Sequence, residues 1–172
     1  MEYIITVATP LEISDNYRSL RQIVYTGIGI IDALLTLVDY KNVKAIYNIG
    51  SCVSKDRFDI GKTIQFNTFI SSCKSFPHKK ISNKNTTDIV EIETHSEFVT
   101  NINDMQCAYA DMESYAQALF AEKYEIPFVC IKYVSDWVGS TSIAHWEDRL
   151  PIVQKALDTV IHDIINQKIL TG

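Results

Sequence analysis

The chain has 172 residues, of which 47% are hydrophobic and 22% are charged, a composition typical of one globular domain with a substantial core. Its formal net charge of −5 excludes a general electrostatic attraction to nucleic acid or to an anionic membrane surface. No apolar run approaches the roughly 20 residues of a membrane-spanning helix. We therefore expect a single domain over residues 1–172, with neither nucleic acid nor membrane as a partner.

Strands and helices alternate along the chain. The N-terminus, MEYIITVATPLEISD, lacks a basic segment and a small-residue cleavage site, so it is interpreted as a first strand and not as a signal peptide. Short β-branched runs bounded by turn residues predict strands, and apolar residues at helical spacing predict helices. The predicted strands are 3–8, 43–50, 62–71, 89–94 and 128–136, and the predicted helices are 31–39, 111–123 and 147–167. The polar stretch 74–88 is predicted to be a loop.

This alternation, with strands that are apolar almost throughout, favours an α/β domain with a mainly parallel or mixed central sheet. In such sheets ligands bind beyond the carboxyl ends of the strands. Glu12, Ser51 and Asp136 follow or end predicted strands. We expect these three side chains to lie at a binding site.

The cysteines and histidines do not predict a metal centre. Neither the four cysteines nor the four histidines show the paired spacing of zinc ligands. A chain with this much core does not need a disulfide framework, so buried free thiols in a reducing cytosol are the simpler interpretation. We expect no metal and no cofactor, and a cytoplasmic protein.

Five segments, read in order, resemble the nucleoside phosphorylase and nucleosidase family. They are ATPLEI (8–13), TGIGIIDA (26–33), NIGSCVS (48–54), DMESYA (111–116) and VCIKYVSDW (129–137). Within this family, the chain is most similar to 5′-methylthioadenosine/S-adenosylhomocysteine nucleosidase. The resemblance implies a three-layer α/β/α fold with a central mixed sheet, a small purine nucleoside as ligand, and a homodimer. The expected reaction is cleavage of the N-glycosidic bond.

The resemblance assigns Asp136 the role of general acid. Its carboxyl, at the mouth of an apolar strand, is expected to be partly desolvated, which favours the protonated form and lets it donate toward purine N7. From the residues alone, an aspartate that caps the turn after the strand would be the simpler interpretation.

In the same way, Glu113 is expected to accept hydrogen bonds from the ribose hydroxyls and to favour the developing positive charge on the sugar. Met112 would pack against the sugar. The alternatives are an acid in the first turn of a helix for Glu113 and core filling for Met112. Asp111 is predicted to be the N-cap of the helix.

Glu12 matches the acid that orients the attacking water, although it also fits an acid near the start of a helix. Ser51, interpreted as a turn residue beside Gly50, is expected to contact that water or a sugar oxygen. Ser135 is expected to contact substrate. Phe98 would stack on the purine and the backbone of Val99 would bind its edge, with the alternative that Phe98 belongs to the core.

Departures from the family pattern bear on the nucleophile. Where hexameric bacterial phosphorylases carry an arginine, this chain has Asn48, and a carboxylate at Glu12 would repel phosphate, so water is favoured. Lys132 stands in place of the nucleosidase arginine and keeps its charge without its fork geometry. Val53 replaces a glycine of the family's turn. The alternatives are a futalosine-type hydrolase, a phosphate-dependent phosphorylase, and a non-catalytic nucleoside-binding module of the same fold.

Overall fold

A computed structural model describes residues 2–72, 80–82, 88–138 and 143–169, with side chains from residue 147 onward in the last range. In order, its strands and α-helices are β1 (Tyr3–Val7), α1 (Asp15–Arg18), β2 (Ile23–Tyr25), α2 (Ile30–Leu37), β3 (Ala45–Ser54), β4 (Thr63–Phe66), β5 (Thr68–Ser71), β6 (Ile81–Ser82), β7 (Glu91–Thr94), β8 (Tyr109–Asp111), α3 (Ser114–Lys123), β9 (Phe128–Trp137) and α4 (Ile143–Ile165). Strands and α-helices alternate in the N-terminal and C-terminal parts of the chain, whereas six strands, β3 to β8, follow one another without an α-helix among the described residues between them. Most of the stretch 74–88, predicted to be a loop, lies outside the described residues, but Ile81–Ser82 form β6.

The strands form one mixed sheet. Their order is β2-β1-β3-β8-β7-β5-β6, and β9 pairs with both β3 and β4. β1, β2, β3 and β9 run parallel to one another, whereas β8 is antiparallel to β3 and β4 is antiparallel to β9. The predicted mixed sheet is therefore confirmed.

Alternate residues of the central strands face two separate cores, because side chains of a strand point to opposite faces. Ile46 of β3 lies in one core with residues of α2 and α3, including Leu37 and Phe120. Ile49, three residues further along β3, faces the other core, with Leu157 of α4. The sheet thus lies between two helical layers, and the three-layer α/β/α prediction is confirmed.

Residues 62–71 form two strands and not the single predicted strand. Asn67 separates them: its amide donates to the Asp88 carbonyl at 2.5 Å, and its side-chain oxygen accepts from the Val90 N–H at 3.0 Å. Because of this bend β4 pairs with β9, whereas β5 pairs with β7.

Several predicted boundaries were also wrong. β3 continues past Gly50 to Ser54, so Ser51 lies in a strand and not in a turn. The helix predicted to begin at residue 111 begins at Ser114, because Asp111 still pairs with Thr94 in the sheet. α4 begins at Ile143 and not at 147, and none of the described helices is both long and apolar enough to cross a membrane.

Candidate active site

A pocket of about 590 Å³, partly open to solvent, lies where β1, β3 and β9 end. Seven of the eight predicted site residues line it: Glu12, Ser51, Phe98, Val99, Met112, Glu113 and Ser135. These residues come from five separate stretches of the chain, so the fold brings together what the sequence spreads over more than a hundred positions. Asp136 is the predicted residue that is absent from the lining.

Glu12 is buried at the wall of this pocket, with 3% of its surface exposed. It lies in a short 3₁₀ turn that follows β1 and begins at Pro10, with Thr9 as its N-cap. Its Oε1 accepts from both the backbone N–H of Ser51, at 2.8 Å, and the Ser51 hydroxyl, at 2.7 Å. Its Oε2 is buried and has no hydrogen-bond partner among the described residues. A buried acceptor without a partner is costly, so this oxygen favours a polar ligand atom or a water beside it.

Gly50 allows two charged groups to approach the same point of β3. A Cβ at this position would lie 3.3 Å from Lys132 Nζ and 3.4 Å from Glu12 Oε1. Contacts this short are tighter than packed side chains normally allow. A side chain at position 50 would therefore require the Lys132 ammonium to shift by a few tenths of an ångström.

Lys132 forms a buried ion pair with Asp111. Their Nζ–Oδ2 distance is 3.0 Å, and the side chains are 2% and 1% exposed. Burial opposes the charge on Lys132, but the carboxylates around it, Asp111 first, outweigh burial and raise the pKa of the ammonium above its usual value. Lys132 therefore carries a full positive charge beneath the pocket.

Asp111 has more partners than a helix cap. It accepts from the Thr94 hydroxyl at 2.7 Å and from the Ser114 hydroxyl and N–H at 2.8 and 3.0 Å. The N-cap position of α3 is occupied by Glu113, so the prediction that Asp111 is the N-cap was wrong. Its bond to the Ser114 N–H still satisfies one free donor at the start of the helix.

Glu113 is held against the start of α2. Its Oε1 accepts from the Gly29 N–H at 2.9 Å, and Gly29 adopts a φ of 101° that L-residues with side chains rarely reach. Burial raises the pKa of the Glu113 carboxyl to about 7, although Lys132 and the Gly29 N–H lower it. The group therefore changes charge near neutral pH, at the pocket surface.

The raised pKa of Glu113 predicts a loss of stability as pH rises. Below about pH 4.5 the carboxyl is protonated in both folded and unfolded chains, and between 4.5 and 7 only the folded chain keeps the proton. Stability is therefore lost as pH rises through this window, by roughly 3 kcal/mol for this group alone. Glu113→Gln should remove that loss. The unfolding free energy of the wild type minus that of the variant, measured by urea titration, should therefore decrease as the pH is raised from 4.5 to 8. A difference that does not change with pH would contradict the assignment.

Phe98 and Val99 follow β7 at the other side of the pocket. Phe98 is 47% exposed, so the alternative that it belongs to the core is wrong. Val99 packs with Val53 against a small apolar cluster that contains Met105 and Ala110. Together they give this side an apolar wall with an aromatic ring at its edge, an arrangement suited to a flat heterocycle.

Asp136 lies beside the pocket without lining it. It is buried near the end of β9, and its Oδ1 accepts from the N–H of the next residue, Trp137, at 2.8 Å. Because β9 continues through Trp137, this bond lies within the strand, and the alternative that Asp136 caps a turn after the strand is wrong. Its chain neighbour Ser135 and its β3 partner Val53 both line the pocket.

Several lining residues were not predicted as site residues, and two of them present exposed side chains. Ile28 and Glu97 are both exposed and lie at the pocket surface. Ile28 lies between the two glycines of the TGIGIIDA segment, and Glu97 directly precedes Phe98. Among the described residues, no group of three or more His, Cys, Asp and Glu side chains is placed to hold a metal ion.

Solved structures resemble this fold, although no sequence-family model and no curated protein matches the chain. The 5′-methylthioadenosine nucleosidase of Arabidopsis thaliana is 17% identical with a TM-score of 0.76, over 95% of this chain and 94% of that one. The adenine complex of the methylthioadenosine/S-adenosylhomocysteine nucleosidase of Colwellia psychrerythraea is 20% identical with a TM-score of 0.70, over 87% and 88%. The chain has the fold of these nucleosidases.

A third structure of this kind holds a transition-state inhibitor. It is the methylthioadenosine/S-adenosylhomocysteine nucleosidase of S. pneumoniae with MT-ImmA, 14% identical with a TM-score of 0.72, over 93% of this chain and 96% of that one. The nucleoside phosphorylase-like fold predicted from the five segments is thus confirmed. At these identities the likeness concerns the fold, and the roles of individual residues stay predictions.

Proposed function

We propose that this protein is a purine nucleosidase that hydrolyses the N-glycosidic bond of 5′-methylthioadenosine, S-adenosylhomocysteine or a related purine nucleoside. The observation that carries the proposal is the Glu12 carboxylate, with one oxygen fixed by Ser51 and the other buried and without a hydrogen-bond partner in the described part of the chain. A carboxylate held in this way accepts a proton from a water molecule at its free oxygen. The resemblance of the fold to nucleosidases supports the same reaction.

In this reaction the bond between the anomeric carbon and the purine nitrogen breaks, and its electron pair leaves with the base. Asp136 supplies the proton that purine N7 takes up. The sugar gains positive charge, which the Glu113 carboxylate stabilises. The ribose hydroxyls donate hydrogen bonds to the same carboxylate, and these bonds strengthen as the charge develops. Water attacks the anomeric carbon and gives its proton to Glu12, so that free base and free sugar are formed.

Water, not phosphate, is the proposed nucleophile. The pocket wall includes the carboxylates Glu12, Asp111 and Glu113, while no lysine, arginine or histidine lines it among the residues that the structure describes. Phosphate sites need cationic donors, and the nearby Lys132 ammonium is paired with Asp111. The acidic wall would therefore repel an anionic nucleophile.

One observation favours a second candidate function. Asp136 does not line the pocket, and a site without an acid near the base would bind nucleosides without cleaving them. A non-catalytic nucleoside-binding module is therefore the alternative. The family resemblance also implies a homodimer, and we propose that the chain acts as one.

Release of free base distinguishes these functions. The purified protein is incubated with a panel of purine nucleosides that includes 5′-methylthioadenosine, with and without phosphate. Base release that does not depend on phosphate supports the nucleosidase, and strict phosphate dependence indicates a phosphorylase. Binding of nucleosides without release of base from any of them indicates the binding module.

Replacing Asp136 with asparagine should abolish most of the turnover without unfolding the protein. The amide keeps a carbonyl oxygen for the Trp137 N–H but donates no acidic proton, so we expect kcat to fall by about 10²-fold. Base release and a thermal unfolding curve measure the two effects. Asp148→Asn, an exposed acid on α4, is the matched control. Near-normal kcat in the Asp136 variant would show that the proton comes from elsewhere.

A further inference from the structure

We infer that Arg149 is a positioning residue for the pocket, acting through the backbone of Ser135; this inference rests on the proposed function. Arg149 lies on α4, outside every segment that carries the family resemblance. Its Nη1 donates to the Ser135 carbonyl oxygen at 2.8 Å. That carbonyl belongs to the peptide group that joins Ser135 to Asp136.

The bond is made at an irregularity in the sheet. Cys52 of β3 pairs with Val134 of β9, but the next residue, Val53, pairs with Asp136, so the register skips Ser135. Such a β-bulge leaves one residue out of the regular pairing and turns the side chains around it. The Ser135 hydroxyl donates to the Cys52 carbonyl at 3.3 Å.

The bulge decides what faces the pocket at the end of β9. Ser135 lines the pocket and the proposed acid follows it directly. A bulged carbonyl needs a donor, since buried backbone acceptors are rarely left without one. The Arg149 guanidinium supplies that donor from a separate element, and so fixes the plane of the peptide group from which the Asp136 side chain extends. Small displacements of catalytic groups have large effects on rate.

This arrangement predicts that Arg149→Ala lowers kcat by about 10²-fold, more than it changes KM, and weakens binding of adenine at least tenfold. Guanidinium ion, at concentrations that leave the melting temperature unchanged, should restore part of the activity. Arg149→Lys keeps a charged donor, so its kcat and its affinity for adenine should lie between those of the wild type and those of Arg149→Ala. Lys155→Ala removes an exposed cation from the same helix and should behave as wild type.

Wild-type kcat and adenine affinity in Arg149→Ala would overturn the inference, as would a loss that neither guanidinium nor lysine restores. Should the alanine variant fail to fold, Arg149→Lys carries the test, and a wild-type kcat together with a wild-type affinity for adenine in that variant would overturn the inference. The two proposals fail separately. If the wild type releases no base, the nucleosidase proposal is wrong, and adenine binding by isothermal titration calorimetry still decides the role of Arg149.

Discussion

Replacing Glu12 with glutamine is expected to lower kcat by about 10² to 10⁴, the range typical of a lost general base. The amide oxygen of the variant can still accept from the N–H and hydroxyl of Ser51, so the turn should keep its position. The amide nitrogen then replaces the unpartnered Oε2 and offers a donor where the wild type offers an acceptor. Water can no longer give up its proton at this point.

Base release and adenine affinity, measured on the same samples, test this expectation. Glu97→Gln is the matched control, because Glu97 is an exposed acid that also lines the pocket and has no proposed role in proton transfer. We expect adenine to bind both variants about as well as it binds the wild type. A Glu12→Gln variant that keeps wild-type kcat would remove Glu12 from the mechanism.

Replacing Lys132 with methionine is expected to cost about 3–5 kcal/mol of unfolding free energy, since it leaves the buried Asp111 carboxylate without its counter-ion. Glu113 loses a neighbouring positive charge at the same time. Methionine is of similar length, so the loss should come from charge and not from a large cavity. Urea denaturation at neutral pH measures it.

The double variant Asp111→Asn/Lys132→Met should recover much of this loss, because both charges are then absent. Lys44→Met is the control: Lys44 and Glu2 form an ion pair whose side chains are 78% and 82% exposed, and such pairs contribute about 0–1 kcal/mol. Equal stability of Lys132→Met and Lys44→Met would show that the buried pair does not hold the site together.

The sequence was a good guide where local pattern and structure coincide. The apolar strands β1 and β9 both pair in parallel with β3, so their carboxyl ends lie at the same edge of the sheet. Glu12 and Ser51, predicted to lie at a binding site at this edge, both line the pocket. The helical periodicity of α2 and α4 likewise predicted their positions within a few residues. These elements depend on short-range patterns of apolar residues.

Other features depend on contacts between distant residues and could not be read from a local pattern. Asp111 was predicted to be a helix cap, but its pairing with Thr94 keeps it in a strand. Its carboxylate forms an ion pair with Lys132, 21 positions later in the chain. The bend at Asn67 depends on two backbone groups at residues 88 and 90. Nothing in the local sequence distinguishes Arg149 from other arginines on a helix, because its bond to the Ser135 carbonyl depends on the bulge in β9.

The central claim is that water attacks the sugar, and the sugar product tests this most directly. The wild-type protein is supplied with 5′-methylthioadenosine in phosphate buffer, free base is quantified, and the mixture is examined by phosphorus NMR. We predict one equivalent of reducing sugar per adenine released and no phosphorus signal other than that of inorganic phosphate. A sugar-phosphate signal would contradict the claim that water attacks, and a lack of free base from this substrate and from every other nucleoside of the panel would contradict the proposed function.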